Sequence, residues 1–135
     1  MIKNFKILFP YIFLMTLFLG CAINRTALDT ADYINHGILN IAELEKHALE
    51  KYGSVTGKNF TTEEALLNEL HDYIIPIYHQ FLEGLMEIRP ENIEIRRIHV
   101  SYIRGAELIY NGFKMKMAGL QVHEVETIIQ ANQKI

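Results

Sequence analysis

Six histidines, several tyrosines and a single cysteine are the residues of this 135-residue chain whose types suit chemistry. His36, His47, His71, His79, His99 and His123 are its natural proton carriers near neutral pH. His79 and Glu83 stand four residues apart, a spacing that places both on one helix face, where they could share a metal ion. Carboxylate di-metal bundles carry Glu-x-x-His pairs instead, and the sequence has none. The competing reading of His79 is a structural hydrogen bond or solvent exposure. For His99, near the inward face of its helix, a satisfied core histidine competes with a ligand. Tyr73, Tyr78, Tyr102 and Tyr110 could line a small-molecule pocket, since tyrosine combines an apolar body with a polar tip. At helical spacing they also suit the core and its boundary.

The sequence contains no phosphate loop, no Gly-x-Ser-x-Gly elbow and no His-Glu-x-x-His. It therefore predicts no catalytic residue, no cofactor and no metal centre. Asn24 and Asn59 each open an Asn-x-Thr triplet, a glycan acceptor only in a eukaryotic secretory pathway. Cys21 is the only cysteine, which excludes an intrachain disulfide.

The surroundings of Cys21 give it a different chemistry. Lys3 and Lys6 form a short basic region, and residues 7–19 are apolar apart from Pro10, Tyr11 and Thr16, the layout of a signal peptide. Crossing a bilayer takes about 20 apolar residues, so this run is short for a span. An uncleaved anchor is the competing reading. The run closes on Leu17-Phe18-Leu19-Gly20-Cys21, which resembles the lipobox of bacterial lipoproteins. Phe18 and Leu19 depart from the commonest form, in which leucine is followed by a small residue. The resemblance covers only the signal and the modification site. It implies diacylation of the Cys21 thiol as a thioether and cleavage of residues 1–20. One acyl chain holds a protein marginally at about 0.8 kcal/mol per buried methylene, whereas two or more hold it stably. It also implies that Ala22, where an aspartate commonly retains such proteins in the inner membrane, permits outer-membrane sorting in a two-membrane cell.

Cleavage before Cys21 leaves residues 21–135 as one lipid-anchored domain, long enough for a single core. It removes two of the 13 basic side chains and leaves 11 against 16 acidic, a balance of −5. Arg96-Arg97 and Lys114/Lys116 are small basic spots that read as solvated-face charges, and nothing predicts a nucleic-acid partner.

The elements that must carry these residues are helical. Ala31, Ile34, Ile38, Ile41, Ala48 and Tyr52 recur at three- and four-residue steps, and Leu28, Leu39, Ala42 and Leu49 widen the stripe. Thr26 with Asp29 suits the start of this helix and Gly53 the left-handed position at its end. After the glycine-bearing loop 53–60, a capping box at Thr61-x-x-Glu64 opens a second helix over Leu67, Leu70, Ile74, Ile77, Phe81, Leu85 and Ile88. Pro76 interrupts that stripe and predicts a kink or two abutting helices near Ile75. Arg89-Pro90 ends it and starts a third helix with Tyr102, Ala106, Ile109, Phe113 and Leu120 inward. Val122, Val125, Ile128, Ile129 and Ile135 predict a short last helix that frays over residues 130–134. The fold class expected is an all-α antiparallel bundle: three long helices, the second kinked at Pro76, plus a short C-terminal helix.

Gly105, Gly112 and Gly119 stand seven apart on one edge of the third helix, each costing about 1 kcal/mol against alanine. They mark a possible interaction edge where another backbone approaches closely. The alternative is that Gly119 ends the helix and the other two are incidental. The leading expectation is a membrane-anchored, non-catalytic protein-interaction module of the bacterial cell envelope, of exclusion, immunity, pilot or assembly-accessory type, with an envelope protein as partner. The alternatives are a small-molecule or lipid-binding bundle opened at Pro76 and, more remotely, a metal-dependent enzyme using His79 and Glu83.

Overall fold

The computed structural model describes residues 25–135, so the signal segment 1–20, Cys21 and Ala22 lie outside the described residues. The described chain is all-α, without a strand. Helix α1 covers 25–32 and passes through a π turn, Tyr33–Ile38, into α2, Leu39–Ser54. A short 3-10 turn at Gly57–Asn59 precedes α3, Glu63–Glu69, which a second π turn, Leu70–Ile74, joins to α4, Ile75–Glu87. Helix α5, Ile93–Gln121, is the longest element, and α6, Val125–Asn132, is the last.

Matched contacts give the topology. Gly37 meets Ile88, Gly84 meets Ile41 and Lys51 meets Glu69, so α2 and the α3–α4 rod run antiparallel. Tyr78 against Phe113 and His79 against Tyr110 make α4 and α5 antiparallel as well. Helix α6 folds back along α5, with Ile128 at Gly119 and Ile135 at Gly112.

Leu66, Leu70, Ile74, Tyr78, Phe81 and Leu85 form the buried stripe of the α3–α4 rod. Its four-residue steps overshoot a 3.6-residue turn by about 40° each. The wider π turn takes up that drift and keeps the stripe facing inward. It also accommodates Pro76, which has no amide hydrogen and falls in the first turn of α4. The preceding Ile75 N–H donates to the Leu70 carbonyl, five residues back. The expected break near Ile75 is therefore a π turn joining two helical segments. Ala48 from α2 and Ala106, Phe113 and Leu120 from α5 complete the core. At its centre Tyr78 packs edge-on against Phe81 and Phe113, both at 5.3 Å between ring centres.

Several boundaries differ from those the sequence predicts. Arg25 is already helical, so Thr26 and Asp29 lie inside a helix. Helix α2 continues past Gly53 to Ser54, and Gly57 takes the positive φ, +59°. The cap of α3 is Thr62, whose Oγ1 accepts from Ala65 N at 3.1 Å, one residue after the expected Thr61. Helix α5 begins at Ile93, not Pro90, because the Asn92 side chain accepts from the amides of Glu94 and Ile95. Leu28, Leu39 and Leu49, expected to widen the inward stripe, are exposed, since α1 and α2 meet neighbours along one side only.

Helix α5 continues through Gly119 and closes on His123, at φ 54°. Glu124 N donates to Gly119 O at 2.9 Å and His123 N to Leu120 O at 3.4 Å. This is a Schellman closure, with histidine in the left-handed place that glycine usually fills. Helix α6 stops at Asn132 within the stretch expected to fray, and beyond it the amides of Lys134 and Ile135 donate to the Ala131 carbonyl beside Gly112.

Candidate functional site

The histidines are dispersed. His79 Nδ1 lies 3.4 Å from Glu83 Oε2 on the outer face of α4, beside the Tyr110 ring. The pair therefore has the predicted helical geometry, and among the described residues no group of three or more His, Cys, Asp or Glu could hold a metal ion. His36, His47, His71 and His123 are likewise exposed and each faces a carboxylate: Asp32, Glu43, Asp72 and Glu63.

His99 is the exception, 4% exposed on α5. Its Nδ1 pairs with the Tyr33 hydroxyl at 3.1 Å, while Nε2 has no partner that meets hydrogen-bond geometry. Burial, assisted by the Arg89 charge, holds the imidazole below its usual pKa, against a smaller opposing pull from the carbonyls of Ile88 and Leu85. His99 is thus a neutral core histidine that receives the first π turn. Above it lies a cleft of about 340 Å³ between that turn and the α4–α5 connection. Asp29, Asp32, His36, Arg89 and Asn92 line it, and Asn92 Nδ2 donates to Asp29 at 3.3 Å across its floor. The Arg89 guanidinium donates to the Met86 and Ile88 carbonyls and so caps the end of α4.

The tyrosines divide between core and boundary without converging on one pocket. Tyr78 is fully buried, its hydroxyl has no partner, and desolvation pushes its pKa well up. The Tyr102 hydroxyl donates to Glu45 at 2.5 Å, joining α5 to α2, and is also pushed up, first by burial and then by that carboxylate. Tyr73 and Tyr110 lie under the ammonium groups of Lys51 and Lys114. Ile74 and Tyr78, which flank Pro76, are fully buried.

Lys116 overturns the sequence reading of a solvated-face charge. It is 7% exposed because α6 folds over it. Its Nζ donates to the Tyr52 hydroxyl at 2.6 Å and to Asn132 Oδ1 at 2.7 Å, tying α2, α5 and α6 together. No carboxylate pairs with it among the described residues, and burial lowers its pKa.

Two of the three spaced glycines serve the chain's own last helix. A Cβ on Gly112 would stand 2.6 Å from Ile135 Cγ1 and 3.2 Å from the Ala131 carbonyl. On Gly119 it would stand 2.8 Å from Ile128 Cγ1 and 3.2 Å from the Ile128 nitrogen. The close backbone approach expected of this edge is internal at both positions. Gly105 faces open space and is exposed.

A surface the sequence reading passed over runs along the amino-terminal half of α5. Ile93, Arg96, Arg97, Val100 and Arg104 line one shallow groove, with both apolar residues exposed. Their spacing in the sequence, four, three and four residues from Ile93 to Arg104, carried the signal. Arg96 donates only to the Pro90 and Glu91 carbonyls, and none of the three arginines pairs with a carboxylate among the described residues. No protein-family model matches the chain, and neither curated proteins nor solved structures give a match.

Proposed function

We propose that this chain is a bacterial lipoprotein, anchored through Cys21, whose helical domain is a non-catalytic interaction module of the cell envelope. The observation that carries the reading is the closure of an apolar, lysine-led segment on Leu17-Phe18-Leu19-Gly20-Cys21. The domain is a bundle of three long helical rods and a short C-terminal helix. Its dispersed histidine–carboxylate pairs favour binding over catalysis, because a reaction needs such groups to converge on one point. No helix among the described residues is long and apolar enough to cross a membrane. Membrane attachment in this reading belongs to the acylated cysteine, and Ala22 permits sorting to the outer membrane where there is one.

Radiolabelled palmitate should enter the wild-type chain. Cys21→Ser should abolish labelling, leave the precursor uncleaved and change membrane fractionation. Identical processing and fractionation of both forms would end the lipoprotein reading. Cross-linking on membranes followed by capture should then return one reproducible envelope protein, and no specific partner under several extraction conditions would count against the module.

The cleft beside Asp29, Asp32 and Arg89 favours a second reading, a small polar ligand held between helices. Native mass spectrometry would find it as a retained mass. A ligand-free spectrum would reject it.

A further inference from the structure

We infer that the Ile93–Arg104 face of α5 rests on an anionic phospholipid surface, holding the domain in one orientation on the bilayer to which Cys21 tethers it. The inference rests on the lipoprotein reading. Ile93 and Val100 are 58% and 41% exposed and stand on the same groove as Arg96, Arg97 and Arg104. The strip from residue 93 to 104 is about 16 Å long at 1.5 Å per residue. Apolar side chains flanked by arginines that form no ion pair among the described residues suit a helix lying in a headgroup layer. There the arginine stems cover acyl carbon while the guanidinium groups meet phosphate.

Position selects lipid over a soluble acidic partner. Ile93 also borders Arg25 and Thr26, so the strip is continuous with the start of the described chain. Arg25 is four residues beyond Cys21, and four extended residues reach at most about 14 Å. An acyl group at Cys21 would hold this end of the bundle within that distance of the headgroups. The tether supplies a high local concentration, so a modest contact suffices. Asp29 and Glu91 also border it near Ile93, and Leu108, the next exposed apolar residue on that side, is flanked by Glu126 and Lys134.

The test uses the acylated full-length protein, in which thioether formation leaves an introduced cysteine as the only thiol. Nitroxide labels at Ile93→Cys, Val100→Cys and Val122→Cys are compared on vesicles of phosphatidylcholine, with and without phosphatidylglycerol. Val122 is 69% exposed at the far end of α5 and is the control. Labels at 93 and 100 should gain collisions with oxygen and lose them with a water-soluble nickel chelate when phosphatidylglycerol is present. The label at 122 should not change. Each arginine should contribute about fivefold to the bound-to-free ratio, so Arg97→Gln and Arg104→Gln should each lower it by that factor. The triple charge reversal R96E/R97E/R104E should abolish it while the protein still floats with the vesicles.

Equal behaviour of the labels at 100 and 122 in a floating protein overturns the inference and leaves the lipid anchor intact. Shielding of position 100 only on adding an acidic protein assigns the face to that partner and also overturns it. Failure of the wild type to float overturns the anchoring reading itself. Far-ultraviolet circular dichroism of each variant separates loss of contact from loss of fold.

Discussion

The three glycines of α5 give a sharp test of the packing, because replacing each with alanine should give results of opposite sign. Alanine is favoured over glycine by about 1 kcal/mol within a helix, and that gain is the same at all three positions. At Gly105 no atom lies within 4 Å of the added methyl, so Gly105→Ala should stabilise by about 1 kcal/mol. At Gly119 the methyl meets Ile128 Cγ1 at 2.8 Å and two backbone atoms of the α6 approach, Ile128 N at 3.2 Å and Glu124 O at 3.3 Å. The Ile128 side chain can rotate away, but the two backbone atoms can yield only if α6 shifts. Overpacking of this kind costs about 1–3 kcal/mol, and its upper half exceeds the propensity gain. Gly119→Ala should therefore destabilise by a net 1–2 kcal/mol, roughly. Gly112→Ala should fall between them, since two of its three close contacts are side-chain atoms, Ile135 Cγ1 at 2.6 Å and Lys134 Cβ at 3.1 Å, and only one is backbone, Ala131 O at 3.2 Å. For a domain of this size 1 kcal/mol shifts Tm by about 4 °C, so the three melts should separate in the order 105, 112, 119. Hydrogen exchange should show the Gly119→Ala loss first in α6. A Gly119→Ala variant as stable as wild type would refute the close approach of α5 and α6, and a destabilised Gly105→Ala would refute the open space at that position.

Two further predictions concern buried ionisable groups. Lys116 is buried with no carboxylate paired to it among the described residues, and burial lowers its folded pKa below the 10.5 of a free amine. The unfolded chain then binds more protons over the interval between those values. The cost is full below the folded pKa and shrinks as pH climbs toward 10.5. Lys116→Met should flatten that alkaline rise in a series of denaturant titrations, and an unchanged rise would exclude Lys116 as its source. His99 works in the other pH range: its folded pKa lies below 6.5, so stability should fall as pH drops through 6.5 and level off beneath the folded value. His99→Leu should remove that component and, by stranding the Tyr33 hydroxyl, cost about 1–3 kcal/mol at neutral pH. A wild type whose stability matches the variant's slope between neutral and acidic pH would contradict a buried neutral imidazole.

The amino-acid sequence by itself determines the helical class, the rods and the rough place of each break. Stripes such as Leu70, Ile74, Phe81 and Leu85 repeat at helical steps, and no alternative backbone buries that pattern on one side. Proline and the loop glycines punctuate it for equally local reasons. Local chemistry also carries the lipobox resemblance at Cys21, which needs no fold to be read.

Only tertiary structure decided what the remaining side chains do. Lys116 looks like any surface lysine until α6 folds over it, and His99 acquires its hydroxyl partner from Tyr33, 66 positions earlier in the chain. The spaced glycines were legible as a place of close approach, but their partner was not, because helix periodicity is blind to which neighbour arrives. Gly112 and Gly119 receive α6, with Ile135 opposite Gly112, while nothing among the described residues comes within 4 Å of a Cβ at Gly105. The strip from Ile93 to Arg104 is left uncovered among the described residues, since none of their other helices packs over that side of α5. Local residue pattern sets which face of a helix is apolar, while long-range packing sets which parts of it are hidden.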